Sequence, residues 1–327
     1  MRNLDEIRLL WGSDFKRGEG NQFGYYKHNE NLRSATEKLI KLVNEDPTDA
    51  LYILSPEFFK GKIPGVKTWI FTMFEGTTIP KIYEEQLAKA DHLLAPSTWV
   101  KSLFDKYFPP EKTFIVPHGV DSKFKYVPRK FPLRKPFRFL WVGAPNPRKG
   151  YEEIAVVWQA MFSKYNQVEL YMKTTLVEGI QKKGNVILDG RKISDEELIK
   201  LYHSAHCFVF PTRGEGFGLT LAEAMRTGLP CISTNYSGVT DFFDSSVGYT
   251  LKYNMGKGKI TFVGEKYEEE TEMAFPEPED LARKMTFVLD NYKEATKKAK
   301  LAHKRILVFN WKKSAEKLLE VMTSVSL

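Results

Sequence analysis

The chain has 327 residues, 42% hydrophobic and 28% charged, with 22 Gly, 17 Pro and 2 Cys. This is an ordinary globular composition, which excludes a disordered, collagen-like or disulfide-stapled chain, and the length points to two domains. The net charge of +8 is unevenly spread: residues 122–140 hold seven bases and no acid, residues 291–317 nine bases against Glu294 and Glu316, and residues 265–280 eight acids against Lys266.

Such a basic balance suits nucleic acid or an anionic membrane surface, and equally a solvated rim. Asp5 and Glu6 stand where a signal peptide needs an apolar core, and no run reaches the roughly 18 apolar residues of a membrane span. A cytoplasmic protein is therefore expected, with scope for peripheral contact on the inner membrane face. Cys207 and Cys231 lie in apolar runs and are expected as free buried thiols in a reducing compartment. No metal site is expected.

In chain order, apolar runs alternate with helical patterns, the signature of parallel α/β units. The first set predicts strands over Ile7–Trp11, Leu51–Leu54, Thr68–Phe74, His92–Ala95 and Thr113–Val116. Helices are predicted over Asn31–Val43 and Ile82–Ala90 from apolar residues three and four apart. Phe124–Pro136, rich in Pro, Lys and Arg, reads as a linker. The second set predicts strands over Phe137–Val142, Val168–Met172, Val186–Leu188, Cys207–Phe210, Cys231–Ser233 and Val247–Leu251, with helices over Glu152–Tyr165, Asp195–His203 and Leu219–Arg226. Residues 253–280, glycine-rich and then acidic, read as a surface insertion, and a long helical stretch from Asp280 breaks near Phe309–Trp311.

The resulting division is a first domain over 1–125, a basic linker over 126–136, a second domain over 137–305 with its insertion, and a C-terminal helix over 306–327. Two parallel-sheet domains of this kind bind ligands in a cleft outside the carboxyl ends of their strands.

The most informative stretch runs from Pro211 to Pro230, between two predicted strands. Gly214, Gly216 and Gly218 allow a tight loop, and the helix beginning near Leu219 adds the positive end of its dipole, a seat for an anion or sugar hydroxyls. Glu215 in the loop and Glu223 on the helix flank it. A plain strand–turn–helix connection with two solvated glutamates is the structural alternative.

The Glu-x7-Glu spacing of EGFGLTLAE, the following AMRTGLP and the upstream LIKLYHSAHCFVFPTRGEG resemble the retaining glycosyltransferases of family 4, which have the GT-B fold. The resemblance implies two Rossmann-like parallel-sheet domains facing a cleft, with the C-terminal helix crossing back to the first domain. It implies that Glu215 contacts the donor sugar, that the amides of Gly216, Phe217, Gly218 and Leu219 hold sugar hydroxyls and diphosphate, and that Glu223 takes ribose hydroxyls. The segment from Val142 through Gly143 to Gly150 resembles the family's diphosphate loop, with Lys149 at the lysine position. Physically this fits, because charge builds on a departing diphosphate and a fixed cation stabilises it. Many members have arginine where this chain has Ala144, so Arg148 or Arg213 is needed as the second cation.

The first domain resembles the family more loosely, through Trp69–Pro80, Ala95–Val100 and Val116–Asp121. Glu75 and His118, each after a predicted strand, are candidates for cleft or acceptor contacts; a buried, backbone-bonded histidine is the alternative for His118. Gly20 and Gln22, in the glycine-rich run Gly18–Gly24, occupy the place of the family's first loop. His28 and His92 read as structural or surface residues.

The implied activity is retaining, metal-independent transfer of a hexosyl or pentosyl unit from a nucleotide diphosphate sugar, a co-substrate rather than a cofactor, to a glycan or lipid-linked glycan. Alternatives are transfer to hydroxylated bases of viral DNA, for which the basic segments would track phosphates, a non-catalytic nucleotide-sugar binding subunit, or an epimerase or phosphorylase. Base selection is expected near Asp189–Ile193.

Overall fold

The computed structural model describes residues 2–12, 23–129, 136–262 and 267–325. Two compact units emerge, one comprising residues 1–119, 257–272 and 308–327, the other residues 120–256 and 273–307.

The first unit holds a parallel five-stranded sheet in the sequential order β1 (Leu9–Trp11), β2 (Asp49–Ile53), β3 (Lys67–Phe71), β4 (His92–Ala95), β5 (Thr113–Ile115). Strands buried on both faces read as continuous apolar runs, which is why β3 and β4 were visible in the sequence. The helices are α1 (Phe23–Thr36), α2 (Lys81–Leu87) and α3 (Thr98–Phe104). Ser97 starts α3 by accepting from the Val100 amide. The predicted helix over Asn31–Val43 is displaced: α1 ends at Thr36, and Leu42 instead bridges in parallel to Leu9. Ile40, in the turn that follows α1 with its amide donating to the Thr36 carbonyl (3.0 Å), and Leu42, in the bridge, both pack on the core, so apolar spacing alone carried the predicted helix too far.

The second unit builds a seven-stranded sheet from β6 (Phe137–Val142), β7 (Val168–Lys173), β8 (Ile180–Lys183), β9 (Val186–Asp189), β10 (Cys207–Phe210), β11 (Cys231–Thr234) and β12 (Tyr249–Leu251). Its order is β12-β11-β10-β6-β7-β9-β8, with only the exposed edge strand β8 antiparallel. The chain starts in the middle at β6, moves outward through β7 and β9, then returns to place β10 on the other side of β6. That reversal is a topological switch point between β6 and β10, the position at whose carboxyl edge open α/β sheets bind ligands.

Helices α4 (Tyr151–Val157), α5 (Asp195–Ser204) and α6 (Leu219–Arg226) connect these strands, and a π-helical turn, Trp158–Phe162, extends α4. Cys207 and Cys231 are buried free thiols.

The stretch from Val120 to Arg129 belongs to the second unit and is strapped to it. The Arg129 guanidinium donates to the carbonyls of His203 (2.7 Å), Ala205 (3.1 Å) and Thr227 (3.2 Å), at the carboxyl ends of α5 and α6. A linker reading missed this because the partners are 74 or more residues away. The predicted insertion forms a paired ribbon, β13 (Tyr253–Phe262) with β14 (Tyr267–Pro276), and Thr271 on β14 accepts from the Thr77 amide at 2.7 Å within the first unit.

Helices α7 (Pro278–Asp290) and α8 (Tyr292–Ile306) complete the second unit, and α9 (Trp311–Ser324) joins the first. Ala315, Leu318, Val321 and Met322 of α9 lie in one apolar cluster with Leu9, Leu32, Ile53, Trp69 and Phe71. No helix among the described residues is long and apolar enough to cross a membrane.

Candidate active site

The two loops at the switch point are tied to each other. After β6, Asn146 starts the short turn Pro147–Lys149, its side chain accepting from the Arg148 amide at 3.0 Å. The turn closes at Gly150, whose φ of 69° and whose close approach to the Pro211 carbonyl, where a Cβ would lie 1.9 Å away, leave no place for a side chain. From the other loop, the Arg213 amide donates to the Arg148 carbonyl (2.7 Å), and the Trp141 indole donates to the Lys149 carbonyl (3.1 Å).

This scaffold brings Lys149 and Arg148 onto Glu215. The Lys149 ammonium donates to both carboxylate oxygens at 2.6 and 2.8 Å, Arg148 Nη1 to Oε1 at 3.0 Å, and the Thr212 hydroxyl to Oε1 at 3.1 Å. Glu215 is 5% exposed. Burial by itself raises its carboxyl pKa, but Lys149, Arg148 and the hydrogen bonds outweigh burial and hold it below the usual carboxylate value. The backbone is fixed too: the Glu215 amide donates to Ser237 Oγ (2.7 Å), and the Gly238 amide to the Glu215 carbonyl (2.9 Å).

Beyond Glu215 the loop leads through Gly216 and Phe217 to Gly218, the left-handed residue ahead of Leu219 and α6. Phe217 is buried against Phe242, so the loop presents backbone rather than this ring. One turn into α6, Glu223 is buried and accepts from the Tyr202 hydroxyl at 3.1 Å. Burial and the neighbouring Glu223 charge push Tyr202 well above its ordinary value, which keeps it a donor.

The other candidates fall in separate places. Arg213 is turned to α4, pairing with Glu152 (3.0 Å) and Glu153 (2.8 Å), whereas Arg148 is the arginine that reaches Glu215. Gly143 continues the β6 edge, its amide donating to the Lys173 carbonyl. Arg191 grips Asp189 at 2.8 Å beside a cavity of about 310 Å³ lined also by Tyr171 and Ile193.

In the first unit, Glu75 is half-buried after β3. Tyr25 and Tyr83, raised mainly by burial, are raised further by the Glu75 charge. His118, after β5, is 3% exposed and bonded to His28, which is completely buried rather than a surface residue. Gly20 and Gln22 lie outside the described residues. Among the described residues no group of three or more His, Cys, Asp or Glu is placed to hold a metal ion.

Tyr202, Thr212, Ser237 and His28 were not singled out from the sequence as site residues. Thr212 adjoins the glycine loop and could have been suspected; Tyr202 and Ser237 reach Glu223 and Glu215 from 21 and 22 residues away, and His28 reaches His118 within the first unit from 90 residues away, so none of the three carries a local signal.

Residues 127–257 match the family of glycosyl transferases group 1. This stretch spans both loops, Glu215 and Glu223. An O-antigen chain mannosyltransferase B of Escherichia coli is 26% identical over 182 residues, covering 49% of this chain and 48% of the relative. The chain thus aligns with about half of that relative's length. Among solved structures, Anabaena HepE in complex with UDP and glucose superposes with a TM-score of 0.63 at 13% identity over 90% of this chain and 80% of that one. Sucrose-phosphate synthase from Thermosynechococcus elongatus gives 0.61 at 16% identity over 93% and 79%. The family match falls in the second unit but for its last residue, Lys257, and the fold of the chain is GT-B.

Proposed function

We propose that the protein is a retaining, metal-independent glycosyltransferase that moves a hexosyl or pentosyl unit from a nucleotide diphosphate sugar to an acceptor hydroxyl of a glycan or lipid-linked glycan. The observation that carries this reading is the Glu215 carboxylate clamped by Lys149 and Arg148 at the switch point of the second sheet. The names of the relatives add support: one acts on an O-antigen chain, and HepE was solved with UDP and glucose.

In this reading the diphosphate lies over the loop amides at the start of α6, where the helix dipole favours negative charge. As the bond from the anomeric carbon to phosphate breaks, negative charge accumulates on the leaving diphosphate. Lys149, moving from Glu215 toward a phosphate oxygen, stabilises that charge, and Arg148 holds Glu215 in place as Lys149 leaves. Glu215 accepts from sugar hydroxyls, and Glu223 accepts from the ribose. The acceptor attacks from the face the diphosphate vacates, and its proton passes to the departing phosphate oxygen.

A nucleotide-sugar panel tests this, scoring thermal stabilisation and release of nucleoside diphosphate for the wild type and Glu215→Ala. One donor is expected to stabilise the wild type and to be turned over, with turnover reduced on the order of a hundredfold in the variant. Nucleotide binding without turnover of any donor, with glycan acceptors supplied, would instead mark a binding subunit.

A further inference from the structure

Two residues other than glycine take a positive φ among the described residues: Asp46 at 46°, exposed, and Ser237 at 62°, which is only 2% exposed. A Cβ crowds the backbone in this left-handed region, which aspartate tolerates and glycine enters freely, so a serine held there inside the protein is strained. Ser237 opens the 3₁₀ turn Ser237–Asp241 that follows β11. Strain of this kind persists only where the surroundings enforce it, and it gathers at functional sites.

What the serine brings is its hydroxyl. Oγ donates its one proton to the Tyr236 carbonyl (2.6 Å) and accepts from the Glu215 amide (2.7 Å). The next residue takes the other end of Glu215: the Gly238 amide donates to the Glu215 carbonyl (2.9 Å), and a Cβ on Gly238 would lie 2.2 Å from the Gly216 carbonyl oxygen. The Thr240 hydroxyl donates to the Ser237 carbonyl at 2.7 Å, and Phe242 packs on Phe217 with ring centroids 5.0 Å apart. Glu215 is thus held twice over. Its carboxylate is gripped by Lys149, Arg148 and Thr212, and its two peptide groups by a turn that begins 22 residues further along the chain.

We infer that Ser237 is a positioning residue: its left-handed backbone is kept so that its hydroxyl fixes the Glu215 amide, and with it the direction in which the Glu215 side chain leaves the loop. This deepens the glycosyltransferase reading and rests on it, since Glu215 is there the group that meets the sugar. In that reading Lys149 moves from Glu215 toward a phosphate oxygen, so the carboxylate cannot rely on Lys149 for its place throughout the reaction. The turn after β11 keeps the same partners as charge moves. Glycine at 237 would take the same φ without strain and leave the Glu215 amide unmet; alanine would keep the strain and leave the amide unmet as well.

Those two substitutions separate the effects. Turnover is expected to follow the hydroxyl, so Ser237→Gly and Ser237→Ala both lower single-turnover release of nucleoside diphosphate from the donor found in the panel by about tenfold, the worth of one hydrogen bond. Thermal stability is expected to follow the strain, so Ser237→Ala melts at a lower temperature than Ser237→Gly. In a Glu215→Ala background the further effect of Ser237→Gly on turnover shrinks to within about twofold, because a residue that acts through Glu215 has nothing left to position. A merely structural role would carry the same loss into both backgrounds.

Residue-resolved amide hydrogen exchange on the full-length wild type and both variants reads the contact with no donor present. The Glu215 amide is expected to exchange about tenfold faster in each variant. Turnover by Ser237→Gly within about twofold of the wild type, or an undiminished loss in the Glu215→Ala background, would overturn the positioning role, and so would unchanged exchange of the Glu215 amide. Turnover of no donor by the wild type would count against the glycosyltransferase reading alone and leave the exchange rates to decide whether Ser237 holds Glu215.

Discussion

Glu215 keeps its charge in a buried site because two cations and a hydroxyl converge on it, and each of those partners is in turn positioned by backbone contacts between the loops after β6 and β10. Neutralising it has two separable consequences. In Glu215→Gln the Lys149 and Arg148 charges lose their counter-charge, so a nucleoside diphosphate should bind more tightly than to the wild type while turnover falls on the order of a hundredfold. Calorimetric titration alongside single-turnover kinetics checks the pair of effects. Gly150→Ala should behave differently, because a Cβ meeting the Pro211 carbonyl pushes the two loops apart. Nucleotide binding and turnover are then both lost, and the melting temperature drops. How much of this was legible in the sequence depends on range: Glu215, Glu223 and Lys149 stand in local motifs, whereas the ion pair joining Lys149 to Glu215 spans 66 residues and the His28–His118 pair spans 90. No window of local sequence reports such pairs.

Elements were legible where a strand is buried on both faces. β6 and β10 fall on Phe137–Val142 and Cys207–Phe210 as the apolar runs predict, and α6 on Leu219–Arg226 between its glycine loop and Gly228. β8 left no trace because all four of its residues are exposed at the sheet edge. The strap ending at Arg129 was hidden in a run of prolines and bases, since its role lies in the carbonyls it meets. Arg129→Ala removes charge-assisted bonds to the carboxyl ends of α5 and α6 and should cost the second unit about 2 kcal/mol, measurable by urea unfolding.

The whole molecule depends on the return of α9 to the first unit. A chain ending at Leu307 lacks Ala315, Leu318, Val321 and Met322, each buried in that unit's core, at roughly 2 kcal/mol for each larger apolar side chain. Hydrogen exchange should then show the sheet β1–β5 unprotected, with protection retained across β6–β12. Acid acts on both units. Burial pushes His118 to about 3 and His92 and His206 to about 4, from an ordinary 6.5. The unfolded chain therefore takes up these protons first, so the stability they contribute is complete above 6.5 and is lost as pH falls through 6.5 toward 4. Melting temperatures between pH 7.5 and 4.5 should fall accordingly, with a shallower slope in His118→Asn.

The most direct test of the central claim is single-turnover release of nucleoside diphosphate from the donor that stabilises the wild type, compared with Lys149→Met. The account predicts a loss on the order of a hundredfold or more with the nucleoside diphosphate still bound by the variant, since this cation acts on charge that develops as the bond breaks. Release by Lys149→Met within about threefold of the wild type, at a range where mutational effects on rate are negligible, would contradict it.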